Sequence, residues 1–272
     1  MYTAFNLKIG LSDFPNVEEY IRIGKQQKRE LNELAKKELD DFILSDETID
    51  GDKLSQSWFK TIDSDVFISH SHNDVNLAYA LAGWLKKEFE LDAFLDEVVW
   101  GSADELIRKL DKNYSYQTET KTYNYDKRNF TTSHVHAMLS AAIQSVMDTS
   151  EVIFFLNTDE SFPAISDVLK EDNSYTLSPW IYQEVQNAKL LRSINWSVYR
   201  QNRSLSHSLF ESSSDYLKIA YKTPISDFTV LDSSILSAWQ EKREKIKNDP
   251  YGGLFYVHPL NQLYDLVFGV KR

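Results

Sequence analysis

The chain has 272 residues with 30 basic and 41 acidic side chains, which gives a formal net charge of −11 and a pI near 5.1. This balance argues against a protein that binds the nucleic-acid backbone, because such proteins need a basic face. The absence of cysteine excludes disulfides, thiolate chemistry and cysteine–zinc sites. The first residues lack a signal-peptide pattern, and no segment has the roughly 18 apolar residues of a membrane span. We therefore expect a cytoplasmic protein with neither nucleic acid nor membrane as a partner.

Residues 1–60 are predicted to form a mostly helical N-terminal extension. The charged segment 17–44 carries leucines near helical spacing, which is typical of a helix packed by one apolar stripe. The alternative is a contact surface for a partner or a second copy. A turn-rich break at 46–51 marks the boundary, so residues 61–272 are expected to form the main domain.

The stretch DVFISHSHND, residues 65–74, organises the main domain. Its apolar core, VFI, suits a strand buried on both faces of a parallel sheet. The strand stops at a polar cluster, and a helical pattern follows at once. Polar loops after such strands lie at the carboxyl edge of the sheet, where open α/β folds bind ligands. The candidate substrate-binding residues here are Ser69, His70, Ser71, His72 and Asn73.

Further elements follow in βα order. A second strand is predicted at 93–95, parallel to the first because a helix connects them. The polar, tyrosine-rich segment 113–132 is interpreted as an inserted loop or hairpin, with a helix starting at Thr132 or Ser133. The apolar run 152–156 is the strongest strand in the chain, and polar residues follow it as well.

The last third begins with a clear helix start, because Ser178 precedes a proline at the first helical position. A second insert is expected at 193–214, weaker strands at 217–221 and 228–231, and a final helix capped by Asp232. Together these elements predict an α/β fold with a parallel sheet.

Trp180 and Glu184 are the main candidates for chemistry on the helix that starts after Ser178. They lie four residues apart, so they share a face one turn apart. A carboxylate beside an indole could hold a ribose by its hydroxyls and stabilise an oxocarbenium ion as a glycosidic bond breaks. From spacing alone, the alternative is a solvated glutamate next to a tryptophan that anchors the core.

Two histidine pairs, His70 with His72 and His134 with His136, raise the question of a metal site. An i, i+2 pair can chelate on a loop but points to different sides of a helix. Neither cysteines nor an H-E-x-x-H pattern supports these pairs, so no metal is predicted. Asp96 and Glu97 are adjacent and should point to opposite faces of a strand. Asp96 is assigned to the pocket, whereas Glu97 is expected to be solvated.

Three segments, DVFISHSHND, FLDE and SPWIYQEVQNA, resemble in this order the first strand, second strand and third helix of Toll/interleukin-1 receptor (TIR) domains. SHVHAML together with SPWIYQE resembles a bacterial branch of that family. The resemblance spans residues 62–270 and implies a flavodoxin-like parallel sheet with helices on both faces. The W-x-x-x-E element is similar to that of TIR domains that cleave NAD. It implies that Glu184 is the catalytic glutamate and Trp180 the pocket aromatic.

The resemblance also implies that the loop after the first strand lines the nucleotide pocket. Residues 98–104 would form the BB loop, which mediates assembly in this family and completes the site, so Asp96 and Trp100 become substrate contacts. The chain departs from the family pattern here, with Trp100–Gly101 in place of Pro-Gly. The inserts at 113–132 and 193–214 have no place in a minimal TIR domain. Assembly geometry and product therefore stay open.

The function implied by the resemblance is cleavage of NAD, as substrate and not cofactor, at the nicotinamide–ribose bond. The products would be nicotinamide and either ADP-ribose or a cyclic ADP-ribose-type signal, in antiphage defence of the Thoeris kind. Self-association through the TIR domain is expected, with a separate effector or sensor protein. The alternative is a non-catalytic TIR adaptor that acts by assembly, and a third reading is a regulator that binds NAD-like ligands without cleaving them.

Overall fold

The structure, a computed structural model, describes residues 2–33, 42, 49–59, 64–95, 97–163, 175–191, 221–248 and 257–269. At its centre lies a sheet of five parallel strands in the spatial order β3-β2-β6-β1-β9. These strands are β1 Thr3–Lys8, β2 Val66–Ser69, β3 Ala93–Leu95, β6 Val152–Leu156 and β9 Thr229–Asp232. The predicted α/β class with a flavodoxin-like parallel sheet is confirmed.

Helices cover both faces of the sheet, as the buried clusters show. One face packs against α1 Val17–Glu33, α3 Val75–Trp84, α7 Ser233–Asn248 and α8 Pro259–Phe268. The other face packs against α2 Gly51–Trp58, α4 Glu97–Leu110, α5 Tyr125–Thr149 and α6 Pro179–Leu190. Every residue of β2, β3 and β6 is buried, which explains their continuous apolar sequences. Among the described helices, none is both long and apolar enough to cross a bilayer.

The first strand corrects the prediction of a helical extension over residues 1–60. β1 lies inside the sheet, between β6 and β9, with Phe5 opposite Phe154 and Thr229. The helices expected in this segment are present as α1 and α2, but α1 is described only to Glu33. Counted along residues 62–270 alone, β3, β2 and β6 occupy the first three positions of the flavodoxin-like order 2-1-3-4-5. β1 takes the fourth position.

Helices α1 and α3 cross at very close range through a reciprocal pair of glycines. A Cβ added to Gly24 would lie 2.2 Å from the Tyr79 carbonyl oxygen, and one added to Gly83 would lie 1.9 Å from that of Tyr20. Each tyrosine precedes the glycine of its own helix by four residues, so the two helices present the same Y-x-x-x-G element to each other. Both tyrosines are buried. The crossing therefore has no room for a side chain at either glycine.

The segment 113–132 contains the predicted hairpin, formed by β4 Tyr116–Gln117 and β5 Thr122–Tyr123. Helix α5, however, begins at Tyr125 instead of Thr132 or Ser133, because the Asn124 side chain accepts a hydrogen bond from the Lys127 amide and caps it. The first turns of α5 are largely exposed. They therefore lack the apolar periodicity by which the sequence could have marked them.

The prediction of a loop at residues 98–104 is wrong, because these residues lie in α4, which begins two residues after the end of β3. Gly101 does not break the chain. The helix continues because Ala103, Leu106 and Leu110 are buried at helical spacing against the sheet. Glu97 accordingly belongs to a helix and not to the end of a strand. A BB-type loop over 98–104 is absent from this described part of the chain.

The C-terminal third agrees with the prediction in part. The strand expected at 217–221 is described only from Tyr221, where β8 Tyr221–Lys222 pairs antiparallel with β7 Tyr175–Thr176. The strand predicted at 228–231 is β9, which lies at one edge of the sheet. Asp232 caps α7 by accepting from the Ile235 amide. The predicted insert 193–214 lies outside the described residues.

Candidate functional site

The candidate site lies at the point where the strand order reverses. From β2 the chain adds β3 on one side and then crosses to place β6 on the other, which creates a switch point between β2 and β6. Their register places Ser69, Phe155 and Asn6 side by side near the carboxyl ends of the strands. Ser69 follows Phe67 by two residues, so its side chain points to the face that α6 covers.

Helix α6 brings the candidate carboxylate to this place. Its start is fixed as predicted, because the Ser178 hydroxyl accepts a hydrogen bond from the Ile181 amide and proline follows at the first helical position. Ile181, Val185 and Ala188 bury the helix against the sheet. This orientation places Glu184 over the end of β2.

The central contact of the site joins two residues that are 115 positions apart. The Ser69 hydroxyl donates to Oε2 of Glu184 at 2.6 Å. Both residues are 1% exposed, so the interaction lies in a region of low dielectric, where it is stronger than in water. A buried carboxylate held in this way can accept hydrogen bonds from ligand hydroxyls and stabilise a nearby positive charge.

Two loops next to this pair are joined to each other by hydrogen bonds. The carboxylate of Asp74, after β2, accepts from the Thr158 hydroxyl at 2.6 Å and from the Ser161 hydroxyl at 3.0 Å. The Ser71 amide donates to the Ser161 hydroxyl oxygen at 3.1 Å. A charged acceptor with two donors ties the loops firmly. These contacts hold the loops 70–74 and 157–163 together at the carboxyl edge of the sheet, next to the Ser69–Glu184 pair.

The remaining residues predicted around β2 take different positions. His70 is buried, with Nδ1 3.4 Å from the Ile68 carbonyl oxygen. His72 is exposed. Asn73 is exposed as well, and its side-chain amide donates to Glu160 at 2.6 Å across the two loops. Of the loop residues proposed for the pocket, the structure places Ser69 on Glu184, and the others form the loop above it.

Two predicted site residues belong to the region after β3. Asp96 lies outside the described residues. Trp100 belongs to α4, and its side chain lies outside the part of the chain that the structure describes. Their predicted contacts with substrate stay predictions.

Trp180 packs beside the site against a histidine. Its side chain is buried, and its ring meets that of His136 on α5 edge-on, with centroids 6.0 Å apart. Burial lowers the pKa of His136 to about 4, against a smaller opposing effect of the Asp104 carboxylate. His136 is therefore neutral at pH 7 and adds no positive charge beside Trp180.

The depressed pKa of His136 predicts how stability depends on pH. Between pH 6.5 and 4 the unfolded chain binds a proton that the folded protein does not, so stability falls as the pH falls through this window. We expect the denaturation midpoint to decrease more steeply from pH 7 to pH 4.5 in the wild type than in His136→Gln. His134→Gln, at an exposed position of the same helix, is the matched control and should follow the wild type. Parallel curves for His136→Gln and the wild type would contradict this assignment.

Sequence reasoning missed several polar residues near the site. Asn157 donates its side-chain amide to Asn6 at 2.8 Å, on the other side of Phe155 from Ser69. Asp74 and Thr158 follow two strands of the parallel sheet, so their positions in the sequence were enough to predict that they lie at the same edge of the sheet. The signal for Asn6 was absent, because β1 itself was not recognised.

The histidine pairs do not come together as a metal site. His70 is buried and His72 exposed, while His134 packs on Phe130 and His136 on Trp180. Within the described ranges, no three histidine or carboxylate side chains converge in a way that could hold a metal ion.

Comparisons of the chain with models of known protein families, with curated proteins and with solved structures give no match. The function therefore has to be inferred from the residues and contacts of the site.

Proposed function

We propose that the protein is a cytoplasmic enzyme that breaks the nicotinamide–ribose bond of NAD, in the manner of NAD-cleaving TIR domains of antiphage defence. The observation that carries the proposal is the buried Ser69–Glu184 pair at the carboxyl edge of a parallel sheet, next to the switch point. This is where open α/β folds bind nucleotides. The three TIR-like segments of the sequence support the same assignment.

In this reaction the bond between the ribose C1′ and the pyridinium nitrogen breaks heterolytically. The electron pair goes to nicotinamide, which leaves as a neutral molecule, so no acid is needed to protonate it. The positive charge moves to the ribose as an oxocarbenium ion. Glu184 binds the ribose hydroxyls and stabilises this cation. Water, which then loses a proton to solvent, or a nitrogen or hydroxyl of the same molecule completes the reaction at C1′.

In this proposal, the loops 70–74 and 157–163 control the access of NAD to Glu184. Asp74 holds them together through Thr158 and Ser161, and we infer that a substrate as large as NAD reaches Glu184 when these loops separate. Separation of the loops breaks these hydrogen bonds, so binding of another molecule has to favour the open state. A second copy of the protein or a separate sensor protein could be that molecule. Which ADP-ribose product forms depends on the nucleophile that reaches C1′.

The same burial favours one rival function, a non-catalytic adaptor that assembles through its surfaces. In that case Glu184, at 1% exposure, and Ser69 hold the loop edge to α6 and have no ligand to bind. The adaptor keeps the fold and has no need for loop opening. NAD turnover separates the two functions.

The deciding measurement is product analysis by mass spectrometry after the full-length protein has been incubated with NAD over a wide range of protein concentrations. We expect nicotinamide release, with specific activity rising with protein concentration because assembly opens the loops. The same reactions are repeated with lysate of phage-infected cells. Absence of nicotinamide release under every one of these conditions would favour the adaptor.

A further inference from the structure

A stripe of three residues runs along α6 and contains Glu184 at its centre. Trp180, Glu184 and Asn187 follow the i, i+4, i+7 spacing of one helical face. At about 100° per residue, Trp180 and Asn187 lie about 40° and 60° to the same side of Glu184. The residues of the apolar flank, Ile181, Val185 and Ala188, lie on the other side.

Asn187 has an unusual environment for an amide. It is 8% exposed, and its side-chain nitrogen is buried without any acceptor among the described residues. Its backbone carbonyl is used in the ordinary way, by the Leu191 amide. A buried donor without an acceptor destabilises a fold, so it requires an explanation such as a ligand that supplies the missing oxygen.

Its neighbour one turn back supplies a complementary group. The Glu184 carboxylate, held by Ser69, only accepts hydrogen bonds, whereas the Asn187 NH₂ group only donates them. Residues three apart on a helix have Cβ atoms about 5–6 Å apart. A ligand hydroxyl can donate its hydrogen to a carboxylate and accept with its oxygen at the same time. The two side chains thus fit the vicinal hydroxyls of a ribose.

We propose that Asn187 is a substrate-binding residue, whose side-chain amide donates a hydrogen bond to an oxygen of the same ribose diol that donates to Glu184. This inference rests on the proposed function and extends it, because it assigns a second contact with the ribose and its polarity. The two contacts place the ribose beside Glu184 and Asn187 on α6, next to Ser69.

The test combines a binding measurement with a stability measurement. Binding of ADP-ribose and of ADP is measured by calorimetry. ADP-ribose has no nicotinamide–ribose bond to cleave, and ADP lacks the second ribose. Asn187→Leu is expected to weaken ADP-ribose binding about 10–100-fold, the usual effect of losing one buried hydrogen bond, and to leave ADP binding unchanged. Its thermal midpoint should equal or exceed that of the wild type, because the variant removes an unsatisfied buried donor.

The matched control is Gln183→Leu, an amide on the same helix that already has a partner. Its Nε2 donates to the Ser140 hydroxyl at 2.6 Å, so its loss should lower the thermal midpoint and leave ADP-ribose affinity unchanged. If Asn187→Leu lowers the midpoint and binds ADP-ribose as the wild type does, Asn187 is structural and the inference is wrong. Wild-type protein that binds no ADP-ribose, even at the highest protein concentration used in the turnover measurement, would also overturn it.

Failure of the proposed function gives a different result. Protein that releases no nicotinamide but binds ADP-ribose in an Asn187-dependent way would refute the cleavage reaction and support the ribose contact. If the wild type and Asn187→Leu release nicotinamide at the same rate at every NAD concentration, the cleavage reaction is supported and the ribose contact is refuted.

Discussion

Replacing Glu184 with glutamine is expected to reduce nicotinamide release by about 10²–10³-fold, the usual effect of removing one group that stabilises transition-state charge. Glutamine has nearly the same size, and its carbonyl oxygen can still accept from the Ser69 hydroxyl. The variant therefore keeps the central contact of the site and loses only the negative charge. The initial rate of nicotinamide release, measured at saturating NAD, reports this loss.

Glu241→Gln is the control for this variant. Glu241 is exposed on α7, on the opposite face of the sheet from α6, and forms a surface ion pair with Lys245. The substitution makes the same change in net charge, so any effect of overall charge appears in both variants. Equal turnover by Glu184→Gln and the wild type would remove Glu184 from the reaction. A collapse of the thermal midpoint in Glu184→Gln alone would instead identify Glu184 as a structural residue.

Replacing Gly83 with alanine is expected to destabilise the protein by about 3 kcal/mol, near the upper end of what one extra buried methylene usually costs. The new Cβ would lie 1.9 Å from the Tyr20 carbonyl oxygen and 2.7 Å from its carbonyl carbon. These are backbone atoms, so no side-chain rotation relieves the clash. The helices α1 and α3 have to move apart, and the core around Tyr20 and Trp84 loosens. Denaturation in urea measures the change in the free energy of unfolding.

Gly51→Ala serves as the matched substitution for Gly83→Ala. Gly51 also lies in a helix, but its added Cβ would meet nothing closer than the Met138 methyl carbon at 3.7 Å. Since alanine favours the helical conformation more than glycine does, this variant should be stabilised by up to about 1 kcal/mol. Opposite signs for the two substitutions are thus expected. Similar stability of both variants would mean that α1 and α3 do not cross this closely.

The sequence predicted those parts of the fold that continuous apolar runs encode. β2, β3 and β6 are buried on both faces, and their composition marks them without knowledge of any partner. β1 was missed because Asn6 interrupts its apolar residues. Asn6 is tolerated in the sheet because Asn157 donates to its side-chain oxygen and the Ile225 carbonyl lies 3.4 Å from its amide nitrogen. Such remote partners cannot be inferred from a local pattern.

The site was predictable to the level of which elements meet. Helical spacing placed Trp180 and Glu184 on one face, and strand logic placed Ser69 at the carboxyl edge, where it contacts Glu184. The closure of the loops was not predictable, because it depends on the positions of a few hydroxyl groups around Asp74. The spacing of Asn187 was visible in the sequence. Its burial without an acceptor was not, because burial is a property of the packed structure.

The central position of β1 has a consequence for how the chain is made. Its first pairing partner, beginning with Thr3 opposite Val152, leaves the ribosome about 150 residues later. At typical synthesis rates of about 5–20 residues per second, the apolar segment with Phe5 and Leu7 waits roughly 7–30 seconds for β6. The other neighbour, β9, comes later still. Closing so long a loop slows folding. Both edges of β1 therefore stay unpaired until β6 has been synthesised, and the edge that faces β9 stays unpaired until Asp232 has been added.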